Sequence, residues 1–217
     1  MQVKRVSAST EELLDPQATV WAEVEESLVD MLPTPIALQP TEYIQKTYES
    51  RTYGDVTPLN VRCLHNGDSM LIRIEWAEPN PSRELSNVNA FADGCGVLFP
   101  VAGDAVITEM GSVSQPVNAW HWRADYDDKP NSVTSTSRGT SVRYKTNPLV
   151  ARSMWKNETW QVVMGRPFVV AEPHRRMIAL KPGATVKAGF AIWHGANQER
   201  GGIKAYSPAW SDLVIEA

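Results

Sequence analysis

Along much of this chain, apolar and polar residues alternate with the period of two that turns one face of a strand toward a core. Residues 70–78, MLIRIEWAE, place Met70, Ile72, Ile74 and Trp76 on one face and Arg73 and Glu75 on the other. The preceding NVRCLHNGDS carries Val61, Cys63 and an Asn66-Gly67 turn signal, so 60–77 is predicted to be a β-hairpin. Further strands are predicted at 96–101, 105–110, 117–124, 140–145, 159–168, 176–180, 185–194 and 211–217. Helix is expected only in short pieces, at 83–92 and 148–155, and the polar run 125–140, DYDDKPNSVTSTSRGT, reads as a long exposed loop.

Fifteen prolines and thirteen glycines punctuate these runs at strand-like intervals. That rhythm predicts an all-β fold, an antiparallel sandwich with a few short helices in its loops, and argues against βαβ units. With 217 residues, 42% of them hydrophobic, the chain can bury a full core, and 1–217 reads as a single domain. A formal charge of −4 supplies no basic face, so nucleic acid is not an expected partner. No run approaches the length of a membrane span, and the first residues lack the apolar stretch of a secretory signal.

The chemical motifs are informative mainly by what they exclude. Nucleophile elbow, P-loop, dinucleotide fingerprint and HExxH zinc motif are all missing. His65, His121, His174 and His194 share no short spacing and read as surface or strand-end residues rather than a zinc site. The acidic pairs in EVEE, TEELLD and DYDD read as solvated loop charge, which leaves a glycosidase without support. Two cysteines, Cys63 and Cys95, make no CxxC pair; they are either one disulfide or two buried thiols. Neither a thioether-linked haem nor an iron–sulfur cluster can be built from them.

Five stretches carry a family resemblance: PTPIALQP, LHNGDSMLIRIEWAE, FADGCGVLFPV, MGSVSQPVNAWHWRAD and FAIWHGANQERGGIKAYSPAWSDLVI. Together they resemble the haem-binding gamma subunit of ethylbenzene dehydrogenase, a subunit type shared by dimethylsulfide, chlorate, selenate and steroid C25 dehydrogenases or reductases. The resemblance runs from about residue 18 to the C-terminus, apart from roughly 125–158. It implies a β-sandwich holding one non-covalent haem b between methionine and lysine axial ligands, which match Met110 in EMGS and Lys204 in GGIKAYS. They are expected to reach the iron from opposite sides of a space between the sheets. The implied role is electron transfer without catalysis. Such a subunit would link an iron–sulfur beta subunit, itself next to a molybdopterin alpha subunit, with an external carrier such as cytochrome c. The implied location is the periplasm, reached after removal of a leader or by export with a partner subunit.

Elementary chemistry tests that ligand pair. A thioether is a soft neutral donor that favours ferrous iron. A lysine must first lose a proton, which from its reference pKa costs roughly 4–5 kcal/mol at neutral pH. Burial beside Ile203, Tyr206 and Trp210 would reduce that cost. Taken alone, Met110 is core filler and Lys204 a surface lysine; Trp120 and Trp122, at i and i+2, fit a sandwich core as well as a haem plane. His174 is the substitute ligand if lysine fails, and Arg175, Arg176 and Arg200 are candidates for the propionates. Two rival readings remain, a carbohydrate-binding sandwich with exposed indoles and a structural subunit with no cofactor.

Overall fold

The computed structural model describes residues 1–144 and 146–217. Its elements follow in chain order as β1 (Gln2–Arg5), α1 (Thr10–Leu14), β2 (Ser27–Val29), β3 (Leu32–Pro33), α2 (Glu42–Tyr48), β4 (Leu59–His65), β5 (Ser69–Ala77) and β6 (Gly94–Pro100). They continue as β7 (Val117–Arg123), β8 (Asn131–Ser135), β9 (Ser141–Arg143), β10 (Val150–Lys156), β11 (Thr159–Pro167), β12 (Thr185–Trp193), β13 (Ala205–Tyr206) and β14 (Ser211–Ile215).

One sheet runs β10-β11-β5-β4-β1-β14-β12 and the other β12-β6-β7-β8-β9. β12 belongs to both. Its first half, Thr185–Ala188, pairs with β14, and its second half, Gly189–Trp193, pairs with β6. The hairpin expected at 60–77 forms as β4 and β5, with Cys63 opposite Ile72. Asn66 closes its turn, its Oδ1 accepting from the backbone N–H groups of Asp68 and Ser69.

The alternation along the strands fills the space between the sheets. Met70, Ile72, Ile74 and Trp76 meet Cys95, Val97, Phe99, Trp120 and Trp122 from the facing sheet. At the centre, Trp160 stacks on Trp76 at 6.2 Å and meets Trp122 edge-on at 5.0 Å, pairings that add about 0.5–1.5 kcal/mol each to burial. The outer face of the first sheet is covered by the N-terminal segment, where Leu13, Leu14, Trp21 and Val24 pack on Leu64, Leu71 and Val163. Ser9 starts that cover by capping α1, its Oγ accepting from Glu12 N at 3.2 Å.

Several sequence expectations require correction. The sheet is mixed, because β1 lies parallel to both β4 and β14. Residues 105–110 form a 3₁₀ turn at Ile107–Glu109 instead of a strand. The helix expected at 148–155 is strand β10, whose seven residues pair along β11. Residues 83–92 and 176–180 adopt neither helix nor strand. The expected loop 125–140 contains β8, where Ser132, Thr134 and Ser135 are buried. Of the strand expected at 140–145, Ser141–Arg143 forms and Lys145 lies outside the described residues. The cysteines are two buried thiols; burial pushes Cys63 up to about 12 and Cys95 well above its ordinary value.

Candidate functional site

The same alternation that buries Trp120 and Trp122 turns Ala119, His121 and Arg123 of β7 to the opposite, outer face of the second sheet. Register carries this face across the neighbours: Leu98 lies opposite Ala119, Gly96 opposite His121 and Gly94 opposite Arg123, with Ala191 and Trp193 of β12 beyond. A Cβ on Gly94 or Gly96 would touch the Trp193 ring at 3.6 and 3.5 Å, so the two glycines leave room for that indole to lie close to the sheet. A cavity of about 530 Å³ opens over this face, a size usual for small-molecule sites (roughly 300–1,000 Å³). It is closed by the loops that carry Ile107 to Met110, Arg138 and Gly139, and Glu199 to Lys204. The space between the sheets is packed with side chains, and the cavity lies behind it, on the outer face of the second sheet.

Met110 and Lys204 both line this cavity. His174 does not; its ring stacks on Tyr144 at 3.6 Å, and its Nε2 lies 3.4 Å from Ser132 Oγ. Arg175 and Arg176 also lie outside it, whereas Arg200 lines it. Of the expected apolar wall, Tyr206 is present; Ile203 and Trp210 are not, and Trp193 stands there instead.

Lys204 is held by its backbone. Its carbonyl accepts from Thr34 N at 3.0 Å and Thr34 Oγ1 at 2.9 Å, and Gln39 Nε2 donates to the carbonyl of Gly202 at 3.1 Å. Trp193 Nε1 donates to Gly201 O at 3.1 Å, tying the same loop to the sheet. The side chain is 8% exposed, its Nζ sits 3.4 Å from Gly201 O and 5.1 Å from the Trp193 ring centroid. No carboxylate pairs with it among the described residues, and burial pulls its pKa down to about 8.

Met110 ends the 3₁₀ turn in the left-handed region, at φ 57°, a conformation that a residue with a side chain seldom adopts. Gly111 follows at φ 85°, and a Cβ there would lie 2.7 Å from Gln115 O. The two positive φ values reverse the chain, and the Met110 side chain packs against the cluster of Leu98, Ala105, Val117 and Ala191 on the outer face.

The cavity is cationic although the chain is acidic. Arg123, Arg138, Arg143, Arg200 and Lys204 line it, and Glu199 is the single carboxylate among the described lining residues. His121 registers this field: burial, then Arg123, Arg143 and Lys204, lower its pKa to about 4, so its imidazole is neutral. Sequence reasoning missed His121 and Trp193, and of these arginines it singled out only Arg200.

Below the Lys204 loop lies a buried acidic cluster. His194 Nδ1 bonds Glu78 Oε2, and Glu199 accepts from His194 N at 3.0 Å and from Gly54 N at 2.8 Å. Asp93 accepts from Trp160 Nε1, Ser82 N and Gly195 N, at 2.8–2.9 Å. Burial alone would lower His194, but its bond to Glu78 and the nearby acids raise it above its ordinary value. Burial also raises Asp93 and Glu199.

The chain matches the family model described as ethylbenzene dehydrogenase over residues 18–148 and 146–205. It belongs to the ethylbenzene dehydrogenase family. The family match continues through 125–158, where the sequence motifs carry no visible resemblance. The chlorate reductase gamma subunit of Ideonella dechloratans is 30% identical over 216 residues, covering 97% of this chain and 83% of that protein. The dimethylsulfide dehydrogenase gamma subunit of Rhodovulum sulfidophilum is 28% identical, covering 90% and 73%. A protein of Haloferax mediterranei, provisionally named a respiratory nitrate reductase haem subunit, is 28% identical and covers 70% and 54%. In fold the chain resembles a family 9 carbohydrate-binding module from Caldicellulosiruptor kristjanssonii solved with glucose, at TM-score 0.52 and 8% identity, with 100% of this chain and 95% of that one covered. A Bacteroides uniformis protein provisionally named as carbohydrate-binding gives TM-score 0.56 at 12% identity, covering 100% and 98%. At such identities these two likenesses bear on fold alone.

Proposed function

We propose that this chain is the electron-transfer subunit of a periplasmic molybdenum oxidoreductase, binding one haem b non-covalently through Met110 and Lys204. The observation that carries the reading is that these two residues, far apart in sequence, line one cavity in which the lysine amine is buried without a carboxylate partner among the described residues. When bound, the haem supplies a one-electron iron couple.

The residues fit that group. Leu98, Ala119, Phe190, Ala191 and Trp193 offer an apolar wall to a flat macrocycle. Met110 offers a soft thioether on a fixed turn, a donor that stabilises the reduced metal. Lys204 must give up its proton to donate a lone pair. From a pKa of about 8, that step costs about 1–2 kcal/mol at pH 7, against roughly 4–5 for an ordinary lysine. Held by Met110 and Lys204 together, such a group would serve to exchange electrons and would leave substrate no place to bind at the iron. That two of the relatives are named as gamma subunits supports a place in a larger assembly; the partners we propose are an iron–sulfur beta subunit, next to a molybdopterin alpha subunit, and an external carrier such as cytochrome c.

The carbohydrate-binding alternative calls for exposed indoles, and none of the eight tryptophans is exposed. A reduced-minus-oxidised absorption spectrum of the haem-reconstituted chain tests the proposal. Sharp low-spin b-type bands are expected, and Met110→Ala or Lys204→Ala should convert them to high spin or lose the pigment. Absence of low-spin bands in the wild-type chain overturns the reading.

A further inference from the structure

The cations of the cavity are not equivalent. Arg123 is already committed, its Nε and Nη2 donating to the two carboxylate oxygens of Asp125 at 2.9 and 2.7 Å. Arg200 lies 4.6 Å over the Phe91 ring. Arg138 reaches Glu109 with Nη2 at 3.2 Å, while its Nη1 is buried with no hydrogen-bond partner. Arg143, on the edge strand β9, has no ion pair among the described residues. It stands opposite Val133, which lines the cavity, and its charge is felt at His121. The imidazole of His121 has an aromatic neighbour, Trp193 at 5.1 Å, and no hydrogen-bond partner among the described residues. Two guanidinium groups with unused donors and one neutral imidazole thus face a cavity that is also lined by the apolar Leu98, Phe190, Ala191 and Trp193.

We propose that Arg143 and Arg138, assisted by His121, form an anion subsite that takes the carboxylate edge of the bound macrocycle, an assignment that rests on the haem reading above. A guanidinium presents paired N–H groups in the plane a carboxylate needs, and two such groups suit a ligand with two propionates on one edge. Such a subsite would set which way round the macrocycle lies in the cavity, with its carboxylates toward the β8–β9 end that carries Arg138 and Arg143. It also selects against flat apolar molecules that lack the acid groups.

The test titrates the cofactor-free chain with metal-free protoporphyrin IX and with its dimethyl ester, following the porphyrin absorption band. Neither contains iron, so neither reports on Met110 or Lys204. The diacid should bind roughly tenfold or more tightly than the ester, as expected for losing a charged hydrogen bond. Arg143→Glu and Arg138→Glu should each reduce that preference, while Arg175→Glu, an exposed arginine outside the cavity, should leave it intact. Equal affinity for the two porphyrins, or binding of neither, overturns the subsite. The spin state of the haem-loaded chain is read separately: low-spin bands without an acid preference leave the axial pair standing and remove the subsite, and an acid preference without low-spin bands does the reverse.

Discussion

At the scale of single residues, the buried amine of Lys204 is the feature with the largest thermodynamic consequence. Its pKa of about 8 in the folded chain lies below its ordinary value of 10.5, so the folded state binds fewer protons across that interval and stability rises with pH through it. Below pH about 8 the penalty is complete, and the difference corresponds to about 3 kcal/mol. Lys204→Met, unbranched and similar in length, should therefore stabilise the cofactor-free chain by about 2–3 kcal/mol at pH 7. By pH 10 the gain should fall below about 1 kcal/mol, which urea denaturation at the two pH values would measure. A stabilising substitution that abolishes ligand binding marks a residue retained for function. Neither Lys204 nor Met110 was legible as a site residue from its own chemistry; only the blocks of sequence around them singled them out. His121 was legible in principle, because AWHWR alternates and two buried indoles force the histidine onto the other face. Treating the four histidines by their mutual spacing hid that.

At the scale of elements, both proposed ligands sit on turns set by backbone geometry. The Met110 turn depends on Gly111, and Gly111→Ala should cost about 2 kcal/mol or more, since φ 85° and the Gln115 carbonyl both oppose a side chain. Thermal unfolding would measure the loss, and the low-spin haem spectrum should weaken with it. The Lys204 loop depends on His194 and Glu78, whose side chains are buried. Because the folded pKa of His194 is raised, its contribution is complete below its ordinary 6.5 and is lost as pH rises through the folded value. His194→Gln leaves Glu78 buried without its cation and should destabilise by about 3 kcal/mol at pH 6 and less at pH 8, with faster hydrogen exchange across 195–204. The strands were legible where alternation was strict, as in 70–78 and 117–124. They were missed in 150–156, where VARSMWK mixes both faces at the rim of the sheet and most of its side chains are half-buried. The turn at 105–110 was read as a strand because apolar residues alone do not reveal a left-handed methionine.

At the scale of the whole molecule, the sandwich has two separate interiors. The space between the sheets is filled by Trp76, Trp122, Trp160 and their neighbours, and among the described residues only Trp120 and Phe190 of that core also line the cavity behind the second sheet. The sequence could reveal the first interior, since strand periodicity reports which face is apolar; it could not reveal the second, which arises where loops from segments far apart in the chain arch over a face that reads as half-polar. A group bound in the cavity is thus an addition to a finished core, unlike a haem around which a helical protein must fold. The cofactor-free chain should keep the far-UV circular dichroism and the cooperative unfolding of the loaded one. Haem should raise the midpoint by simple linkage: at a hundredfold excess over its dissociation constant, the gain is about 2.7 kcal/mol, or about 5–11 °C for a chain of this size. Trp193, against the cavity, should be quenched on binding, and Trp193→Phe should remove part of that quenching while leaving the core untouched. If stripping the haem instead collapses the sheet signal, the cavity is part of the folding core and the separation of the two interiors fails.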